Sequence, residues 1–370
     1  MISTRPLNFQ EEIMASVIAS PRSDTLKVDK YTLTTTTFGE PLMATMNKYT
    51  SSVNGHIAHN APAVILLLAH GVGCVKETWE PSIETLFRLD QVVHNNQLVR
   101  EVWALDYQNH GEACTLNEEV LARSPERFTI WDYADAFLTL YKSGLLGYLN
   151  PKLHQVVLCG HSAGAVGAVL STYFFNPSSS VPFSSIILVD PAIWSRKMND
   201  KHNQFFKMAE KLAPCRRDIW KSRQEAAKWL QDKSGKAWNK RVLAKYVEHG
   251  IRSLPTAFYP DQVGVTLTTH RLQENFCYSK AANLAVYEAL DRLNQICSQL
   301  PVHLIYGGRN DMFDRELQDS VISPEEGRSF ASIRRIEGAG HQIVHEKPDE
   351  LASEIFDILS NLDFKHRSKL

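Results

Sequence analysis

Ser162 stands in Gly160-His161-Ser162-Ala163-Gly164, which fits Gly-x-Ser-x-Gly, directly after the apolar run "HQVVLCG". A serine hydroxyl becomes a useful nucleophile when a base takes its proton. A candidate base is His341, in "EGAGHQIVHEKPDE"; His345, four residues on, is the weaker candidate. The imidazole in turn needs a carboxylate to fix its tautomer. Two acids satisfy the order nucleophile, acid, histidine. Asp190 ends "SSIILVD" and precedes Pro191, and Asp311 follows "HLIYGGRN". The chemistry of such a set is acyl transfer, and the oxyanion it creates needs N–H donors. Ala163, next to the serine, offers one; Val72, in "AHGVG", is the candidate for the second, with Gly71 and Gly73 keeping that loop slim.

These residues need elements to hold them. A strand that turns into a helix within a few residues strains the residue at the bend, which requires neighbours without bulk. Gly160 and Gly164 meet that need, and Ala165, Gly167 and Ala168 let the following helix approach the sheet. Ser162 then sits at the positive end of a helix.

Elsewhere, continuous apolar runs alternate with amphipathic segments, the pattern of a parallel sheet covered on both faces. The runs are Val64–Leu68, Val102–Leu105, Val156–Cys159, Ile186–Val189, Val302–Tyr306 and "SIRRIEG". Helical spacing places Ile83, Leu86 and Phe87 on one face, as it does Ile130, Tyr133, Ala134, Phe137 and Leu138. Leu351, Ile355, Ile358 and Leu362 repeat the pattern near the end. "LKVDKYTL" and "PLMATMNKYT" read as an antiparallel edge pair.

The reading divides the chain into an arm (1–24), a core (25–192 and 298–364) and an insertion (193–297). The insertion is Lys- and Trp-rich, looks helical and shows no clear strand, as a cap or lid would. Its Trp220, Trp229, Trp238, Lys221, Lys228, Lys236 and Lys240 fit an ordinary amphipathic cap better than a pocket wall facing an anionic head group. Asp106 and His110, in "LDYQNHG", read as loop-shaping.

A formal net charge of −1 gives no electrostatic case for nucleic acid. The longest apolar run, "APAVILLLA", is strand-sized, so no transmembrane segment is expected. The six cysteines are dispersed without a Cys-x-x-Cys pair, which argues against a zinc knuckle and for reduced thiols inside the cell. Ser368-Lys369-Leu370 matches the type 1 peroxisomal address, a label read by an import receptor.

Together "LLLAHGVG", "ALDYQNHG", "GHSAG", "ILVDP" and "GAGHQIVHEKP" resemble the α/β-hydrolase superfamily over residues 60–360. With the S-K-L end, "HGVGCVKETWEP" and "LPTAFYPDQVGVTLTT" look like fungal peroxisomal hydrolases of secondary-metabolite clusters, of the AK-toxin type. The resemblance implies an α/β-hydrolase fold: a mostly parallel central sheet flanked by helices, with a helical cap. It implies a serine hydrolase without a cofactor, acting in the peroxisome on an acyl ester or acyl-CoA thioester of a fatty-acid- or polyketide-derived acid. A lipase or carboxylesterase of general lipid metabolism, or a ligand-binding protein on the same fold, is the alternative. The superfamily's usual aromatic-Gly-x-x-Asp pattern, laid on Tyr306-Gly307, puts Asn310 at the acid position. A known variant takes the acid from the preceding strand, which favours Asp190 over Asp311.

Overall fold

Buried strands need apolar residues on both faces, and the continuous runs supply them. The computed structural model describes residues 26–52, 61–175, 181–234 and 237–364. The arm (1–24), Lys236 and the terminal Ser368-Lys369-Leu370 lie outside the described residues.

The main sheet comprises β1 (Leu26–Thr35), β2 (Leu42–Ser51), β3 (Ala63–Ala69), β4 (Val99–Leu105), β5 (His154–His161), β6 (Ser185–Val189), β10 (Val302–Gly307) and β11 (Ser332–Ile336). Their spatial order is β1-β2-β4-β3-β5-β6-β10-β11. The first two strands pair antiparallel with each other, and β2 runs antiparallel to β4. From β4 onward every pairing is parallel. β3, β5 and β6 are buried along their whole length, whereas edge strand β1 alternates exposed and half-buried positions.

The helices, in chain order, are α1 (Glu80–His94), α2 (Gly111–Leu116), α3 (Glu118–Arg123), α4 (Ile130–Lys142), α5 (Ala163–Ser171), α6 (Asn199–Leu212), α7 (Arg223–Ser234), α8 (Lys240–His249), α9 (Arg271–Phe276), α10 (Lys280–Ile296), α11 (Arg315–Ile322), α12 (Ile343–Glu346) and α13 (Pro348–Ser360). Successive strand residues point to opposite faces. One face of the sheet, with Val64, Leu66, Leu68, Val157 and Ile187, packs on α1 and α13. The other, with Ile65, Leu67, Leu158, Ile186 and Leu188, packs on α4, α5 and α10. α4 starts where it does because Thr129 and Asp132 form a reciprocal capping box.

The stretch 193–297 holds more than helices. Short strands β7 (Ile219–Trp220), β8 (Ile251–Ser253) and β9 (Val265–Leu267) form an antiparallel sheet in the order β7-β9-β8. Strands of two or three residues are too short to show a two-residue period, which is why the sequence shows no strand here. The last helix of this stretch, α10, buries Ala285, Val286, Ala289, Leu290 and Leu293 in the same cluster as α5, so it packs on the core.

Candidate active site

β5 ends at His161 and α5 begins at Ala163, which leaves Ser162 alone to make the turn. Its backbone sits at φ 55° and ψ −121°, a conformation L-residues rarely adopt. Surrounding bonds hold it there: the Ser162 N–H donates to Val189 O at 3.0 Å, and Ser162 O accepts from Ala192 N at 3.2 Å. A Cβ on Gly160 would lie 2.4 Å from Gly164 O, and one on Gly164 would lie 2.5 Å from His70 O. Both approaches are to backbone, so neither position tolerates a side chain without moving the bend.

His341 follows β11 on a loop that brings its ring over this bend. Its Nε2 lies 3.0 Å from Ser162 Oγ. Its Nδ1 lies 2.6 Å from Asp190 Oδ2. All three side chains are buried. Asp190 reaches the ring because the chain bends sharply just after β6, at φ 38°, with Asp190 N donating to Ile305 O at 2.8 Å. Its other oxygen accepts from Gln318 Nε2 at 3.0 Å, and Gln318 Oε1 accepts from Arg335 Nη1 at 2.6 Å. Asp311 meets His341 elsewhere: its Oδ1 accepts the backbone N–H of His341 at 2.8 Å. Burial acts against the Asp311 anion, but this bond, that from Met312 N–H and the nearby Arg309 guanidinium together lower its pKa below the ordinary carboxylate value.

The loop is held from two further sides. His161 Nε2 lies 2.8 Å from His341 O. Phe313 stands edge-on to the His341 ring, centroids 4.5 Å apart. His345 packs tilted against Trp238 with centroids 4.4 Å apart and makes no bond to Ser162; burial pushes its pKa down to about 3.

Ala163 N–H belongs to the first residue of α5, where no helical carbonyl is available to it. Val72 lines the same cleft as Ser162. The Gly71 carbonyl accepts from His70 Nδ1 at 2.8 Å and from Cys74 N at 3.3 Å. A trans, planar peptide then points the Val72 N–H the other way.

Asp106 and His110 do not bond to Ser162 or His341. Asp106 accepts from Lys76 Nζ and Lys76 N, both at 2.9 Å, and from Thr45 Oγ1 at 3.0 Å. Burial acts to raise its pKa, but the adjacent Lys76 ammonium and His70 ring together outweigh that and hold it well below the usual range.

The cleft beside Ser162 is lined by Ile130, Val166, Phe205, Phe206, Tyr278, Val286 and Phe313, among others. Among the described residues lining it there is no Lys, Arg, Asp or Glu. Cys277 lies in its wall as a neutral thiol, pushed by burial up to about 12. The cap's Trp220, Trp229 and Trp238 instead pack together between α7, α8 and the small sheet. The six cysteines are unpaired, and no helix among the described residues is long and apolar enough to cross a membrane.

Sequence reasoning missed Gln318, Phe205 and Phe206. No motif marks them, since Gln318 meets Asp190 only through packing 128 residues along the chain.

A parallel sheet with antiparallel edge strands, and a serine–histidine–carboxylate chain at the ends of β5, β6 and β11, define a class. The chain belongs to the alpha/beta hydrolase family, whose model matches residues 66–354. It is similar to the type I acyl-CoA thioesterase mpaH of Penicillium brevicompactum, 25% identical over 217 residues, covering 58% of this chain and 46% of that one. The corresponding protein of Penicillium roqueforti (strain FM164) is 24% identical over 239 residues, covering 63% and 50%. The chain thus spans about half the length of the curated relatives it matches. In fold it is similar to the peroxisomal alpha-beta-hydrolase Lpx1 of Saccharomyces cerevisiae, with a TM-score of 0.71, 19% identity and 94% of each chain covered. It is also similar to a thioesterase domain from the curacin biosynthetic pathway, with a TM-score of 0.57, 14% identity, and 89% of this chain and 99% of that one covered.

Proposed function

We propose that the protein is a peroxisomal serine hydrolase acting on an acyl ester or acyl-CoA thioester of a fatty-acid- or polyketide-derived acid, within secondary metabolism. The observation that carries this reading is the unbroken run of contacts from Asp190 through His341 to Ser162. In the reaction, His341 Nε2 takes the Ser162 proton as Oγ bonds the carbonyl carbon. The carbonyl electron pair moves onto oxygen, where Ala163 and Val72 N–H groups receive it. Collapse expels the alkoxide or thiolate, to which His341 returns the proton. Water, deprotonated by His341, then attacks the acyl-serine, and Ser162 regains its proton with release of the acid. Asp190 holds the imidazole tautomer and stabilises the imidazolium.

The uncharged cleft supports an apolar acyl group, with any charged head group left outside it. The named activity of the Penicillium relatives supports a thioester. The Ser368-Lys369-Leu370 end and the peroxisomal Lpx1 neighbour support the location. Import that persists after deletion of those three residues would count against the address.

The test pairs fluorophosphonate labelling with turnover of acyl-CoAs and p-nitrophenyl esters, reading free thiol for the former. Labelling and turnover are expected in the native chain and absent in Ser162→Ala. Turnover of p-nitrophenyl esters alone would favour a general carboxylesterase. Acyl binding with no turnover would make the protein a ligand-binding member of the fold.

A further inference from the structure

Gly73 follows the candidate oxyanion donor, and a residue of the cap grips its peptide. The Gly71 carbonyl accepts the Cys74 N–H at 3.3 Å, which closes a four-residue turn. Gly73 takes φ +76°, as the third position of a type II turn requires. The Gly73 carbonyl accepts from Tyr246 Oη at 2.9 Å. The Gly73 N–H donates to His110 Nε2 at 2.9 Å. His110 Nδ1 lies 2.7 Å from Asn109 Oδ1, which fixes the tautomer, and burial keeps the ring neutral and so an acceptor.

Two rigid planes therefore connect Tyr246 to Val72. The 73–74 peptide is held at its carbonyl by Tyr246 and at its N–H by Gly71 O. The 71–72 peptide is held at that same Gly71 O and carries the Val72 N–H at its far side. Rotation of the 73–74 plane strains the Cys74 N–H bond to Gly71 O that the 71–72 plane shares. Tyr246 is itself fixed: it is buried, packs edge-on to Trp238 at 5.5 Å, and lies on α8 beside Lys245, which pairs with Glu80 of α1 at 2.6 Å. Burial raises its pKa to about 12, so the hydroxyl remains a donor.

We propose that Tyr246 of the cap is a positioning residue for the oxyanion donor: its hydroxyl, through Gly73 and the Gly71–Cys74 turn, aims the Val72 amide. The inference rests on the serine-hydrolase reading. It touches no reacting atom, so its loss acts on the transition state and leaves substrate binding intact.

Tyr246→Phe removes one oxygen and keeps the ring against Trp238. On a p-nitrophenyl ester it is expected to lower kcat 10- to 100-fold with KM within twofold and the melting midpoint within about 3 °C. Fluorophosphonate labelling should slow by the same factor as kcat. Trp229→Phe, which perturbs the cap core away from Gly73, should leave kcat within twofold. Native kcat in Tyr246→Phe, with Ser162→Ala inactive, would overturn the inference and leave the hydrolase reading standing. So would equal kcat losses in Tyr246→Phe and Trp229→Phe, or a large drop in melting midpoint in Tyr246→Phe. Native turnover in Ser162→Ala would overturn the reading and the inference with it.

Discussion

Asp190 and Asp311 both touch His341, at atoms with different consequences. Asp190 meets the ring nitrogen, and Asp311 accepts the backbone N–H. An amide at position 190 presents a donor as readily as an acceptor, so the ring tautomer is no longer fixed and the imidazolium loses its counter-charge. Asp190→Asn is expected to lower kcat by about 10⁴, by analogy with triad acids elsewhere. Asp311→Asn keeps a carbonyl for the backbone bond and should stay within about threefold; the kcat for a p-nitrophenyl ester checks both. The reverse result would move the acid's role to Asp311. At this scale the short motifs made Ser162 and His341 visible in sequence, while the choice of acid rested on the Asp-Pro pair after a strand. Gln318 and Tyr246 left no trace, because what they do depends on a contact made across the fold rather than on their neighbours in the chain.

The unit that presents Ser162 is β5, the bend and α5. Its design depends on backbone approaching backbone, and a methyl at Gly160 has no flexible side chain to push aside. Gly160→Ala is therefore expected to destabilise the fold by at least about 2 kcal/mol, read as a lower urea midpoint with unchanged slope. A native midpoint would mean the bend can relax, and the steric account of the glycines would fail. Strands with continuous apolar runs, such as Val156–Cys159, were legible for the same reason that they are buried. The strands of the insertion were not, since Ile219–Trp220 and Val265–Leu267 pair through backbone bonds over too few residues to leave a pattern. Trp220, Trp229 and Trp238 stand out by composition, yet they pack in the insertion's own cluster, and the cleft is walled by less conspicuous phenylalanines.

For the molecule as a whole, buried histidines contribute a loss of stability in acid, which the raised carboxyls of Glu80, Asp90 and Asp132 partly offset. Burial lowers His345 to about 3, His270 and His303 to about 4, and His110 and His161 well below 6.5. Unfolding returns each to its ordinary 6.5, so below that pH the unfolded chain binds protons that the native chain does not. Stability thus rises with pH in this window. It is whole above pH 6.5 and is lost as pH falls toward 4 and 3. His345 alone contributes a slope of about 1.4 kcal/mol per pH unit. The urea midpoint should fall steadily from pH 6.5 to 4.5 and be level from 6.5 to 8. A midpoint level down to pH 5 would show that these rings are solvated or charged in the native state.

The insertion also splits into two parts with separate attachments. α8 is tied to the core by Lys245–Glu80 and by Asn239 N donating to His345 O at 2.7 Å, and it carries Tyr246. Phe205 and Phe206, which line the cleft beside Ser162, ride on α6 instead. On the proposed reading, substitutions at Phe206 on α6 would reshape the wall of the acyl cleft while the contacts of Tyr246 on α8 are kept. One part of the insertion is thus free to vary the shape of the cleft while the other keeps its ties to the core.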